Sequence, residues 1–226
     1  MFCIARWLGL VDYGSTYQLQ KDLVNQRFNG EVTDVLLLLE HHPTITLGKS
    51  GKLENILVSE LQLKQEGISL FFTDRGGDAT YHGPGQLVGY LIVDLRQRSR
   101  NVHKFVHQIE EVIIRTLTEF DISAGRDETH PGIWVNNNSE ELAAIGIAVK
   151  RGITMHGFAL NINPELRHFS LINPCGLVNK KVTSVSKILG HDVSIETVIK
   201  SLLVNFSEVF ETPVEMRSDL LNWQRS

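Results

Sequence analysis

Arg75-Gly76-Gly77-Asp78-Ala79-Thr80-Tyr81-His82-Gly83-Pro84-Gly85-Gln86 is the most unusual stretch of this chain, with four glycines, a proline, an arginine and a histidine set between two apolar runs. Ser69-Leu70-Phe71-Phe72-Thr73 before it and Leu87-Val88-Gly89-Tyr90-Leu91-Ile92-Val93 after it both read as strands, so the segment is expected to be a connection emerging at the ends of a sheet. Its glycines permit positive φ and let backbone amides approach a ligand, while Pro84 stiffens the loop. A binding loop is the favoured reading, and a long solvent-exposed turn is the alternative.

Upstream, residues 2–8 read as a first strand, and a helix opens at Gly14 or Ser15 with apolar positions Leu19, Leu23, Val24 and Phe28 until Gly30 ends it. Val35-Leu36-Leu37-Leu38-Leu39 is an unbroken apolar run, the pattern of a strand buried on both faces, and it delivers Glu40, His41, His42 and Pro43 at its exit. Neighbours in a strand point to opposite faces, so His41 and His42 do not form a metal site. A short helix is expected over Ser59 to Gln65, closed by Gly67.

Downstream, Asn101 can cap a helix whose stripe is Val102, Phe105, Val106, Ile109, Val112, Ile113, Leu117 and Phe120. His103 and His107 lie one turn apart without the glutamate of a zinc-protease motif, and read as solvated or second-layer residues. Three strands follow: Ile133 to Val135, Leu142 to Val149 and Ile153 to Ile162, with turns at Asn136-Asn137-Asn138 and Arg151-Gly152. Small residues cluster in them, at Ala143, Ala144, Gly146, Ala148, Gly157 and Ala159. Either a ligand or a closely packed element takes up the space they leave. Cys175, between Pro174 and Gly176, has the setting of an accessible turn cysteine and is a candidate nucleophile. Thr183 or Ser184 caps a short helix through Leu189, Ser194 opens a last one, and the tail beyond Thr212 reads as peripheral.

At 226 residues with 42% hydrophobic and 21% charged residues, the chain is expected to form one domain over residues 1–226, with core enough to fold without disulfide or metal. A net charge of −4 with no block of like charges argues against a nucleic-acid partner. No apolar run approaches membrane length and no secretion signal opens the chain, so no membrane association and a cytoplasmic location are expected. The two cysteines, Cys3 and Cys175, read as free thiols of a reducing compartment.

Taken together, RGGDATYHGPGQLVGY, AAIGIAVKRGITMHGFALNIN and NPCG with the following VTS resemble the lipoyl-protein octanoyltransferase family. The resemblance spans roughly residues 5–210. It implies an α/β (α+β) fold like that of biotin and lipoate protein ligases, with a mixed, largely antiparallel sheet flanked by helices. It also implies an acyltransferase: octanoyl passes from octanoyl-acyl carrier protein, through a thioester on Cys175, to a lysine of a lipoyl domain of a 2-oxoacid dehydrogenase or of the glycine cleavage H protein. No cofactor or metal is implied. The family's substrate loop falls on Arg75, Gly76, Gly77, Asp78, Ala79, Thr80, Tyr81 and His82, and the acyl-tunnel walls fall on Ala144, Ile145 and Gly146 and on Gly157, Phe158 and Ala159. One position departs. The family's catalytic lysine, in the pattern K-x-A-A-I-G, is replaced here by Glu141. A carboxylate near a thiol disfavours the thiolate that an ammonium would favour. His82, His156, Lys150, Lys180, Lys181 or a protonated Glu141 are the groups that could take over. A non-catalytic acyl-binding protein and an ATP-dependent lipoate or fatty-acid ligase are the rival readings, although the P-loop spacing G-x-x-x-x-G-K is absent.

Overall fold

The run Val35 to Leu39 divides its side chains between two cores. In the computed structural model, which describes residues 2–173 and 181–217, Leu36 and Leu38 pack with Phe105, Ile109, Val198 and Leu202. Val35, Leu37 and Leu39 pack on the opposite side with Leu23 and Val24. Alternation along a pleated strand, with helices on both faces, makes a continuous apolar run the stable solution here.

The elements are, in order, β1 (Cys3–Val11), α1 (Tyr13–Asn29), β2 (Asp34–His41), β3 (Thr44–Leu47), α2 (Glu60–Gln65), β4 (Ser69–Phe72), β5 (Ala79–His82), β6 (Gln86–Ile92), α3 (Val102–Thr118), β7 (Gly132–Val135), β8 (Glu140–Lys150), β9 (Ile153–Asn161), β10 (Lys181–Val182), α4 (Val185–Leu189), α5 (Ile195–Val209) and β11 (Val214–Met216). The large sheet runs β10-β8-β9-β6-β2-β1-β11, with β7 paired to β8. Its pairs β2–β6, β6–β9, β8–β9 and β7–β8 are antiparallel, and β1–β2, β1–β11 and β8–β10 are parallel. It is thus the mixed, largely antiparallel sheet that the resemblance implies, with α1 on one face and α3 and α5 on the other. A smaller sheet, β4-β3-β5, has its own core of Ile45, Leu47, Ala79, Tyr81 and Phe169.

Local chemistry sets the helix ends. The Asp12 side chain accepts from Ser15 N at 2.8 Å to start α1, and Gly30, at φ 79°, ends it. Ser59 and Gln62 form a reciprocal capping box on α2, Asn101 caps α3 through Lys104 N, and Ser184 caps α4 through Lys187 N.

Three features differ from the sequence expectations. The Gly-rich stretch is more than a connection, because Ala79–His82 inside it forms β5, antiparallel to β3. β3 itself, Thr-Ile-Thr-Leu, stands out little by composition, yet all four of its residues are buried. The tail beyond Thr212 is not merely peripheral, since Val214 to Met216 extends the large sheet along the edge of β1.

Candidate active site

A narrow cavity of about 50 Å³, open at its mouth, lies between the α1-covered face of the large sheet and the small sheet. The two tunnel segments meet side by side on neighbouring strands, with Ala144 opposite Ala159, Ile145 opposite Phe158 and Gly146 opposite Gly157. All six line the cavity.

Gly157 is required by close approach rather than by ligand space, because a Cβ there would stand 2.0 Å from the Gly89 carbonyl oxygen. At Gly146 a Cβ would stand 2.8 Å from the Gly76 carbonyl oxygen, which lets the Gly-rich loop dock on β8 through a Gly76 N to Ile147 O bond of 3.1 Å. The small residues therefore admit the loop and a neighbouring strand, and the cavity is what remains between them.

The loop divides its residues between lining and bracing. Arg75, Gly76, Gly77, Thr80 and His82 line the cavity. The Arg75 guanidinium is also the loop's internal brace, donating to Thr46 O at 2.8 Å, Asp78 O at 2.6 Å and Gly76 O at 3.0 Å. Asp78, Ala79 and Tyr81 are not on the wall. The Asp78 carboxylate accepts from Asn55 Nδ2 and Ala79 N, Ala79 is buried in the small sheet, and Tyr81 OH bonds His168 Nδ1 at 2.8 Å. These three hold the loop's shape from behind.

The floor of the cavity is polar. Tyr13, Tyr90 and His156 join His82 on the wall, and His41 lies behind them, 5.0 Å from the Tyr13 ring, 5.7 Å from His82 and 5.8 Å from Tyr90 between centroids. A carbonyl can only accept, so His41 Nδ1–H donates to Val11 O (3.1 Å) and Nε2 accepts from the Tyr90 hydroxyl (2.7 Å). His82 Nδ1 donates to Gln86 Oε1 at 2.8 Å, an orientation fixed because the Gln86 amide nitrogen donates to Tyr81 O and Asn161 Oδ1. Burial lowers both imidazoles, His41 to about 4 against the Val11 hydrogen bond and the Asp12 carboxylate, and His82 to about 3, where the neighbouring His41 and Arg75 add to the lowering. Burial likewise pushes the Tyr13 and Tyr90 hydroxyls up.

Beside them Asp74 gathers three donors: Lys150 Nζ at 2.7 Å, Tyr17 OH at 2.8 Å and His156 Nε2 at 2.9 Å. Burial alone would raise this carboxyl, but those hydrogen bonds outweigh it and hold it well below the usual carboxylate range. Burial lowers the His156 imidazole, with Asp74 acting against that shift. His156 sits within β9 yet has φ 61°, a left-handed conformation costly for a non-glycine residue.

Glu141 is 7% exposed and lines the cavity from β8, between Trp134 of β7 and Val182 of β10. Cys175, with Lys180, lies outside the described residues. The described residues on either side are Asn173, whose N bonds Asn55 O at 2.8 Å, and Lys181, which pairs with Glu140. Lys150 is committed to Asp74. His42, His103 and His107 are exposed, with His107 bonded to Glu110. Among the described residues no three His, Cys, Asp or Glu side chains are grouped as a metal site, and no helix is long and apolar enough to cross a membrane. Sequence reading missed Tyr13, Pro131 and Tyr90 as wall residues. Only the placement of Tyr90 beyond the Gly-rich loop hinted at it.

The fold is shared with lipoate and biotin protein ligases. A bipartite lipoate protein ligase from Thermoplasma acidophilum superimposes with a TM-score of 0.75 at 18% identity, over 99% of this chain and 89% of that one. A biotin protein ligase from Aquifex aeolicus does so with a TM-score of 0.56 at 14% identity, over 92% and 70%. The family model of the lipoyl protein ligase A/B catalytic domain matches residues 12–207, and the chain belongs to that family. It is also 46% identical over 213 residues to a protein named octanoyltransferase from Desulforamulus reducens, covering 94% of this chain and 92% of the relative.

Proposed function

We propose that this chain is an octanoyltransferase of lipoate biosynthesis, an acyltransferase that moves octanoyl from octanoyl-acyl carrier protein to a lysine of a lipoyl domain. The observation that carries the reading is the 46% identity, over nearly the whole chain, to a relative bearing that name. The cavity fits it, with Ala144 and Ala159 of two neighbouring strands lying beside a braced Gly-rich loop. The whole of residues 1–226 acts as one acyltransferase domain in the cytoplasm, with lipoyl domains of 2-oxoacid dehydrogenases or the glycine cleavage H protein as acceptors.

In the proposed route the Cys175 thiolate attacks the donor thioester, the acyl chain lies along Gly146 and Gly157, and the acceptor amine then attacks the enzyme thioester. Arg75 to His82 form the substrate loop, and backbone amides at its mouth face the tetrahedral oxyanion. Glu141, in the position of the family lysine, makes loading slower than an ammonium there would, by disfavouring the thiolate. The test incubates purified protein with octanoyl-acyl carrier protein and an apo lipoyl domain, without ATP, and weighs both proteins. Octanoyl on the domain, with an adduct on Cys175 that Cys175→Ser abolishes, supports the route. No octanoylated domain without ATP, but product once ATP and free octanoate are supplied, rejects it in favour of a ligase.

A further inference from the structure

The cavity is too small for the chain that the proposed reaction carries. A cavity of about 150 Å³ takes one six-carbon ring, whereas this one holds about 50 Å³. An octanoyl group therefore enters only if a wall gives way. On one side stand β6, β9 and β8, paired into a continuous antiparallel ladder. On the other is the Gly-rich loop, which reaches β8 through Gly76 N on Ile147 O at 3.1 Å and has Gly77 at φ 86°. Residues 48–50 back this loop, with Gly48 N on Asp78 O, Lys49 N on Arg75 O and Ser50 N on Gly77 O, and Arg75 ties it to Thr46 of β3. Loop and backing move as one body, so the contacts that yield are those across to β8, β9 and α1.

Such contacts converge on Asp74, where the chain leaving β4 enters the loop. Its carboxylate accepts from Lys150 Nζ at the end of β8 (2.7 Å), from Tyr17 OH of α1 (2.8 Å) and from His156 Nε2 of β9 (2.9 Å). His156 reaches it through its unusual backbone. Its register partner Ile147 turns toward the α3 and α5 core, while the φ of 61° brings the His156 ring to the opposite face, stacked on Tyr17 at 5.5 Å. Strain of this kind persists where the surroundings over-determine it, and here it supplies one arm of the grip on Asp74.

We propose that Asp74 is a positioning residue for the acyl slot: by clamping the Gly-rich loop to Lys150, His156 and Tyr17, it sets how far the slot opens and hence the length of acyl chain admitted. The identity of the ligand rests on the acyl-transfer reading above, whereas the clamp does not. Lys150 is the member that releases first, since its side chain is 45% exposed, while His156 and Tyr17 pack on each other. A partly exposed ion pair opens at modest cost, and its charge-assisted hydrogen bond closes the loop again. Acyl groups short enough for the resting cavity need no opening, and longer ones do.

The experiment follows the association of unreactive amide analogues of acyl thioesters, acetyl and octanoyl, by stopped-flow fluorescence, alongside hydrogen exchange of the Gly76 amide. Lys150→Met is expected to raise the octanoyl association rate about threefold to fivefold, the scale of a partly exposed ion pair. Asp74→Asn, which weakens all three arms, is expected to raise it about tenfold or more, with the acetyl rate unchanged and Lys150→Arg close to wild type. Gly76 exchange should rise in the same order while the amides of β6 stay protected. A merely structural role lowers the melting temperature and acts on both analogues alike. Equal acceleration of acetyl and octanoyl, or Gly76 exchange unaltered in both Lys150→Met and Asp74→Asn, overturns the proposal. Protein that shows the chain-length-selective response yet moves no octanoyl to a lipoyl domain supports the clamp and overturns the acyl-transfer reading instead.

Discussion

Acidification probes the cavity floor directly. His41 is 0% exposed and donates from Nδ1 to a carbonyl while receiving the Tyr90 hydroxyl on Nε2. Adding a proton to Nε2 makes the Tyr90 hydroxyl turn from donor to acceptor and puts a charge where burial disfavours it. His82 is in the same position, bonded through Nδ1 and packed against Tyr13 and His41. Their folded values of about 4 and about 3, against 6.5 in the unfolded chain, mean that the unfolded state binds the protons first. Stability from these groups is fully present above 6.5, the unfolded value, and is lost as pH falls toward the folded values. Between about pH 7.5 and about pH 5 each histidine costs about 2 kcal/mol, so the pair costs about 4 kcal/mol. His156, also lowered, adds to the same side. Asp74 is lowered as a carboxyl, so its contribution is lost only below the ordinary carboxylate range. Against a total of about 5–15 kcal/mol this is a large fraction. With a urea m-value of about 2–3 kcal/mol/M, the unfolding midpoint should drop by about 1.3–2 M over that interval. His82→Gln, whatever its own cost, should show a visibly shallower pH dependence. A midpoint flat from about pH 7.5 to about pH 5, or a slope untouched by His82→Gln, refutes the assignment of neutral buried imidazoles.

Gly157→Ala places a Cβ 2.0 Å from a backbone oxygen that cannot yield, and should cost about 3 kcal/mol or more in a denaturant titration. Gly146→Ala meets the Gly76 carbonyl at 2.8 Å, where the loop can shift, so its stability loss should be nearer 1 kcal/mol while the KM for the acyl donor rises. Arg75→Lys replaces a fork that reaches Thr46, Gly76 and Asp78 by a single ammonium, and should lower the melting temperature and weaken donor binding together. Glu141→Lys should raise the alkylation rate of Cys175 by iodoacetamide near neutral pH and speed octanoyl loading, both read by mass spectrometry.

Elements whose pattern is set by burial were legible in the sequence. Val35 to Leu39 and the stripe of α3 read correctly because a two-faced strand and a one-faced helix leave opposite signatures. β3 escaped notice because its two threonines look polar, yet both are buried and the Thr46 hydroxyl is taken by Arg75, more than twenty residues away. β5 was hidden by flanking glycines, and only its pairing with β3 makes it a strand. β11 is three residues long and mostly exposed, and it exists because β1 offers an open edge. The AIG and HGFA segments, read as two walls of the tunnel, lie side by side because β8 and β9 are antiparallel partners in register. Tyr13 could not be found from spacing. It enters the site through the packing of α1 against Phe71 and His82, a tertiary fact. The left-handed backbone of His156 has no local sequence signal at all, since histidine in a strand pattern predicts extended backbone.

Beside Ala144 and Ala159 the cavity wall carries tyrosines and histidines, while the side chains of Ile145 and Phe158 turn into the core on the α3 and α5 face. The difference matters for how an acyl thioester can lie. Buried polar groups are tolerable when they are paired, and here the pairing is internal: His41 with Tyr90, His82 with Gln86 and Asn161, Asp74 with Tyr17, Lys150 and His156. A hydrocarbon tail laid against that wall displaces no hydrogen bond, but it gains more on the aliphatic side, where each buried methylene is worth about 0.8 kcal/mol. A carbonyl gains only on the polar side. A cavity with a small apolar strip at Ala144 and Ala159 beside polar groups already paired therefore orients an amphiphilic substrate by rotation about its long axis as well as by depth.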